Sequence, residues 1–367
     1  MSRYRIAGVN FDHFHMGDNL RAAHAHKGAE IVGLCDEQPQ RMEEAIGAFG
    51  VPRDRVYTDV ERCLEETRPD VVVLCPASAR HGEWTERVAR AGVHIVMEKP
   101  FAASLAEADR MAAAVAETGK RLMINWPLAW MPSHRTAKRL VDDGAIGDVL
   151  SVHYYDGNRG PLWHGADKRE KTAEEVAAEK PQSWFYQRAH GGGSLLDYLG
   201  YGTTLGTWFL GGRKPIDVTC VVDQPPGLEV DEHSITVARY AFGLSKFETR
   251  WGTYTDPWTH QPQPQCGFVL QGTDGTIATF DYQASVRVQT KAHPEGHKVP
   301  CDEIPQHCRN PVANLLHALD HDEDVDGPCT TAISRIGQQI VDSAALSAAE
   351  GRTVPVSYTH LTLPTKA

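Results

Sequence analysis

The sequence has no Cys-x-x-Cys pair, no apolar run near the roughly 18–20 residues that span a bilayer, and no surplus of positive charge. Its eight cysteines (Cys35, Cys63, Cys75, Cys220, Cys266, Cys301, Cys308 and Cys329) are scattered through 367 residues, which argues against a disulfide framework. Lys and Arg number 37 against 48 Asp and Glu, a formal net charge of −11. The positive surface that phosphate-backbone binding needs is missing, so neither nucleic acid nor membrane is an expected partner. Met1–Arg5 runs straight into Ile6-Ala7-Gly8-Val9 without the charged, apolar and small-residue succession of a signal peptide, so a cytoplasmic location is expected. With 41% hydrophobic and 23% charged residues the composition is globular, and the length suggests two domains.

What is present begins with alternation. Through residue 125, β-rich runs (Tyr4–Asn10, Glu30–Asp36, Asp70–Pro76, His94–Glu98, Arg121–Asn125) alternate with helical patterns (Met16–His26, Pro39–Phe49, Val60–Glu66, Gly82–Ala91, Ser104–Thr118). Ile31–Leu34 and Val71–Leu74 are apolar on both faces, as strands of a helix-covered parallel sheet are. The fold class is therefore α/β, with a doubly wound sheet over 1–125. Residues 126–356 read as an α+β domain: a helix over Ser133–Asp143, a strand at Val149–Tyr155, a glycine-led segment Gly191–Gly211, six strands between Asp217 and Gln289, and helices over Pro311–Leu319 and Thr331–Glu350. Lys168–Gln182 reads as a solvated surface segment. Residues 357–367 continue no earlier pattern and are expected to be a non-native tail.

Three clusters carry chemistry. The first βα turn, Gly8-Val9-Asn10-Phe11-Asp12-His13, keeps only the first glycine of Gly-x-Gly-x-x-Gly. Asn10 tolerates a left-handed backbone, whereas Asp12 places negative charge where a pyrophosphate would lie. Asp36, ending the second strand, suits two ribose hydroxyls and repels a 2′-phosphate, favouring NAD over NADP. The second cluster is Met97-Glu98-Lys99-Pro100, at the carboxyl end of a strand, where open parallel sheets bind ligands. An ammonium there can exchange a proton with a hydroxyl or neutralise a forming alkoxide. In the third, Asp197 and Tyr201 are four apart and share a helix face. Each feature alone is compatible with an ordinary loop or helix end.

Together with Cys75-Pro76-Ala77-Ser78-Ala79-Arg80-His81, Gly144-Ala145-Ile146-Gly147-Asp148, Gly272-Thr273-Asp274-Gly275-Thr276 and Ala349–Val354, these motifs resemble the Gfo/Idh/MocA oxidoreductase family over nearly the whole chain up to Val356. The resemblance implies a Rossmann domain followed by a domain with a large open, mainly antiparallel sheet. It also implies an NAD(P) cofactor and a sugar, polyol or cyclitol hydroxyl as substrate. Lys99 corresponds to the family's catalytic lysine, Glu98 to its cofactor-contacting acid, Asp197 to its helix acid, and Tyr201 to a position held by His or Tyr. Gly8, Asn10, His13, Asp36, Pro76 and His81 would complete the cofactor site. Two fingerprint glycines are absent, Leu199 replaces an expected glycine and Thr204 a frequent acid.

Around this crevice Trp126, His164 and Trp184 offer faces for sugar C–H surfaces, and Arg159 and Arg188 could grip a carboxylate. His13 and His15 lack an acidic or Cys partner at ligand spacing, so no metal is expected. A broad open sheet needs covering, which suggests a homo-oligomer, a dimer or tetramer. Two other activities share these residues: a glycosidase or lyase that oxidises its substrate only transiently, and a sugar-sensing protein without catalysis.

Overall fold

The computed structural model describes residues 3–356, so the expectation for 357–367 lies outside it. Its first sheet has six parallel strands, β1 (Tyr4–Val9), β2 (Ala29–Cys35), β3 (Val56–Tyr57), β4 (Val71–Leu74), β5 (His94–Glu98) and β6 (Leu122–Asn125), in the order β3-β2-β1-β4-β5-β6. Helices α1 (His15–Ala25), α2 (Glu43–Phe49), α3 (Val60–Thr67), α4 (His81–Ala89) and α5 (Leu105–Ala116) make the crossovers. All four β4 residues are buried, as an apolar run covered on both faces requires. Strand order reverses between β1 and β4, so a crevice opens at their carboxyl ends.

The second sheet has nine strands. Helices α6 (Pro132–Asp142), α7 (Ala173–Glu179) and α8 (Ser194–Phe209) flank or follow β7 (Val149–Asn158). Then come β8 (Asp217–Asp223), β9 (His233–Tyr240), β10 (Gly243–Trp251), β11 (Gly267–Gly272), β12 (Gly275–Phe280), β13 (Ser285–Thr290), β14 (His293–Pro300), α9 (Pro311–His321), α10 (Thr331–Glu350) and β15 (Val354–Pro355). The order is β14-β13-β12-β11-β7-β10-β9-β8-β15, antiparallel except where β10 runs parallel to β7. β14 escapes the pattern reading because it is a polar edge strand carrying Pro294, Gly296 and Pro300, with no apolar alternation.

α8 positions the site. It is buried nearly throughout, and its glycines let it lie against large side chains: a Cβ on Gly200 would sit 2.5 Å from the Trp126 ring, and one on Gly206 2.9 Å from Phe247. Its amino end is tied down by Asp231, which accepts from the Leu195 N–H (2.8 Å) and the Ser194 hydroxyl (2.7 Å). α10 packs along α8 and returns to the first domain, where Arg335 grips Asp109 at 2.6 and 2.9 Å and Gln338 accepts from the Ala102 N–H. The two lobes are thus clamped close to the β5–α5 turn that carries Lys99. The segment before α8 contains a short capped helix, with Thr172 and Glu175 forming a reciprocal capping box. All eight cysteines are unpaired, and no helix among the described residues is long and apolar enough to cross a membrane.

Candidate active site

Lys99, Asp197 and Tyr201 come together in one hollow of about 80 Å³ between the lobes. Lys99 leaves the end of β5 and donates to Asp197 on α8; both side chains are 3% exposed. Its Nζ also lies 5.6 Å from the Tyr201 ring centre and 6.0 Å from that of Tyr198. Burial, then the charges of Glu98, Asp197 and Asp156, push the Tyr201 phenol well above its ordinary value, so it keeps its proton and serves as a donor.

The hollow also contains residues that sequence reading missed. Asp156 and Asn158 project from the carboxyl end of β7, and Asp281 and Tyr282 from the end of β12. Tyr154 donates to Asp156 (2.9 Å), and His134 bonds Asp281 (2.8 Å). Burial, reinforced by Asp281, raises the Asp156 carboxyl to about 7. Tyr154, Asp156 and Asn158 share one strand face by their spacing of two, the signal by which they could have been found.

Beside the hollow, and sharing His13, Phe14, Pro161, His164 and Phe185 with it, lies a cleft of about 840 Å³ at the carboxyl ends of β1, β2 and β4. Its volume suits a dinucleotide. The fingerprint residues sit differently from expectation. Gly8 is inside β1, where a Cβ would press on Leu20 and Met16 at 3.1 Å, so it serves strand–helix packing. The turn begins at Asn10, with φ 63°, and its side chain accepts from the Asp12 N–H. Counted from that turn, the three glycine positions hold Asn10, Asp12 and His15, so none is glycine. Asp12 pairs with Arg41 and accepts from the Ala77 N–H (3.0 Å). A bound anion would use that cation and that N–H, so the donor set fits a diphosphate once Asp12 yields them.

Asp36 does not face this cleft. It is buried, and its oxygens accept from the N–H groups of Phe11 (2.6 Å) and Gln38 (2.7 Å); Glu37 and Gln38 line the cleft instead. Pro76 and His81 do not line the cleft: the fully buried imidazole lies 3.2 Å from the carbonyls of both Pro76 and Phe101, and Ala77 and Arg80 line the cleft beside them.

The fold supplies the acid partner that spacing did not. His13, His15 and Glu98 bring three possible ligand atoms within 4.8 Å of one another. Their hydrogen bonds already engage them: His15 Nδ1 lies 2.7 Å from Glu98 Oε1, and His13 Nδ1 accepts from the His15 N–H at 3.1 Å. The second contact leaves the hydrogen of a neutral His13 on Nε2, which opposes metal ligation there. Burial, with His15 and Lys99 adding to it, lowers the His13 pKa well below the usual histidine range, keeping it neutral. Burial would raise the Glu98 carboxyl, but His15 and Lys99 outweigh it and leave Glu98 below the usual carboxylate range.

Of the substrate candidates, His164 lines the hollow, its Nδ1 unpartnered and its pKa pushed down to about 2 by burial and the nearby Lys168. Trp126 is instead core: it packs edge-on against Tyr201 and donates to Ser334 (3.0 Å). Trp184 lines the larger cleft and donates to the carbonyl of Asp12 (3.1 Å). Arg159 is held by Asp256 at 2.5 Å, and Arg188 by the Glu229 carbonyl, so neither guanidinium faces the hollow.

Residues 3–126 match the family described as "Oxidoreductase family, NAD-binding Rossmann fold", and residues 134–278 match "GFO/IDH/MocA C-terminal domain". The chain is 37% identical over 134 residues to D-apiose dehydrogenase of Paraburkholderia graminis, covering 36% of this chain and 35% of that one. Among solved structures it resembles an aldose–aldose oxidoreductase from Caulobacter crescentus complexed with glycerol (TM-score 0.77, 21% identity, 96% and 99% of the two chains). It also resembles a levoglucosan dehydrogenase complexed with NADH and levoglucosan (TM-score 0.76, 18% identity, 97% and 100%). At these identities the likeness to solved structures is one of fold. The chain spans 35% and 52% of the length of the first two curated relatives it matches.

Proposed function

Because the chain belongs to the Gfo/Idh/MocA oxidoreductase family, we propose that it oxidises a secondary hydroxyl of a sugar, polyol or cyclitol with a nicotinamide dinucleotide. The observation that carries this reading is the buried Lys99–Asp197 pair in a hollow that also holds Asp156, Asn158 and Tyr201 and adjoins a dinucleotide-sized cleft. When bound, the dinucleotide accepts the hydride released from the carbinol carbon. Asp197 orients the Lys99 ammonium, which stabilises negative charge on the substrate oxygen. Tyr201 holds that oxygen as a hydrogen-bond donor, and Asp156, Asn158 and His164 meet further hydroxyls. Arg41, Arg80 and the Ala77 N–H hold the diphosphate end. NAD is favoured over NADP because Glu37, just beyond β2, lines the cleft, and a carboxylate there repels a 2′-phosphate.

A second reading, a lyase or glycosidase with transient oxidation, is favoured by Asp156: a carboxyl able to carry a proton shares the hollow with Lys99 and could protonate a leaving group. The open face of the second sheet, which exposes Val221 and Leu244, is proposed to seat another copy of the chain, and light scattering would measure the assembly. A panel of aldoses, pentitols and cyclitols, each tested with NAD and NADP at 340 nm, tests the principal reading. NADH appearing with at least one supports it; product without net NADH supports the second reading; no binding of either dinucleotide contradicts both.

A further inference from the structure

We infer that His15, held by Glu98, is the general base of this site and takes the hydroxyl proton. The inference rests on the dehydrogenase reading and supplies the one group that reading leaves unassigned. A hydroxyl giving up hydride must also give up its proton, and the other acceptors lining the hollow are engaged or weak: Asp197 is bonded to Lys99, Asp281 to His134 and Asp156 to Tyr154, and burial holds His164 down to about 2. Lys99, paired with Asp197 as an ammonium, has no lone pair to lend. Tyr201 keeps its phenolic proton among three carboxylates.

His15 stands differently. It takes the third glycine position of the dinucleotide turn, where helix α1 begins, and its ring lines the same hollow as Lys99. Glu98, from β5, meets His15 Nδ1 at 2.7 Å. An ionised carboxylate accepts only, so Nδ1 carries the hydrogen, and whenever the ring is neutral its lone pair lies on Nε2. No hydrogen bond engages Nε2 among the described residues. A carboxylate fixing the tautomer of an imidazole that lines the hollow and has its far nitrogen unengaged is the arrangement an activated base requires. The groups set against the ring are His13 from the same loop at 4.3 Å between centroids, Phe14 at 4.7 Å and Glu98 at the end of β5, and Lys99, one residue further on, lines the same hollow. His164 from the post-β7 segment also lines this space.

In the proposed step the O–H bond breaks and its proton moves to Nε2. The C–H electron pair leaves as hydride to the nicotinamide, and the carbon–oxygen double bond forms. Glu98 is a positioning residue and stays ionised. The chain thus pairs Tyr201, a donor, with a base drawn from the opposite domain.

Two measurements test this. Long-range nitrogen–proton NMR of the full-length protein without substrate should show His15 with its hydrogen on Nδ1 in the neutral form, a signature that Glu98→Gln should weaken or reverse. Hydrogen on Nε2 in the wild-type protein overturns the inference, whether or not any sugar is oxidised. With whichever sugar from the panel reduces NAD, His15→Asn should lower kcat by roughly 100-fold or more, a loss that exceeds any change in the NAD dissociation constant. An unchanged kcat, or a loss confined to NAD affinity, overturns the inference and leaves the dehydrogenase reading standing. Failure of every sugar in the wild-type protein strikes that reading instead, and the tautomer still decides the geometry.

Discussion

The Lys99 ammonium ends on the Asp197 carboxylate across 98 positions of sequence and across the seam between two domains. Removing two charges from water costs several kcal/mol each, and mutual attraction does not reliably repay it, so the pair is weak as a stability device. Its value is positional: it fixes a cation at the boundary of the hollow. Lys99→Met should therefore destabilise the protein by about 3–5 kcal/mol, because Asp197 is left buried and unpaired. Adding Asp197→Asn should recover most of that loss in urea unfolding without restoring activity.

Asp12 competes with the ligand its loop would bind. It occupies Arg41 and the Ala77 N–H, the donors a diphosphate would use. Asp12→Asn keeps an acceptor for Ala77 but removes the charge, so NAD should bind more tightly, on the order of tenfold. Titration followed through Trp184 fluorescence, with calorimetry as a check, measures the change.

Asp156 should impose a pH dependence on stability. Its folded value, about 7, lies above the ordinary 3.8, so the folded state holds a proton that the unfolded chain releases between those values. This contribution is fully present below about pH 4 and is lost as pH rises through 7. Asp156→Asn cannot titrate and should flatten that part of the curve, which thermal unfolding of both proteins from pH 4 to 8 would show.

Gly200 is required by contact. A methyl group there meets the Trp126 ring at 2.5 Å, and Trp126 is 1% exposed with its indole N–H already bonded. Gly200→Ala should cost about 1–3 kcal/mol in denaturant unfolding. It should also reduce turnover, because the helix it displaces carries Asp197 and Tyr201.

Five of the six strands of the first sheet were legible, helped by the double-sided apolar pattern of Ile31–Leu34 and Val71–Leu74, whereas β3 has only two residues and carries no pattern; α10 was legible because caps mark both its ends at Thr330 and Gly351. The edge strand β14 was illegible for lack of alternation. Within the site, Lys99, Asp197 and Tyr201 could be chosen from the sequence because a motif or a helix spacing marks each. Asp36 and His81, chosen for their places at strand ends, spend their polar atoms on backbone groups in this structure, which spacing alone does not reveal. Asp156 carried the signal of a shared strand face, whereas Asp281 and the His15–Glu98 contact were hidden because they depend on which strand ends the fold gathers. His15 and Glu98 are 83 positions apart and meet only when β1 and β5 lie in one sheet.

The central claim is that the cation at the seam drives hydride transfer while the cleft beside it holds the dinucleotide. It is tested most directly by comparing wild type with Lys99→Met/Asp197→Asn, measuring NAD affinity and single-turnover absorbance at 340 nm on the same preparations. The account predicts unchanged affinity and a transfer rate lower by about 100- to 1,000-fold. A transfer rate equal to that of wild type would contradict it.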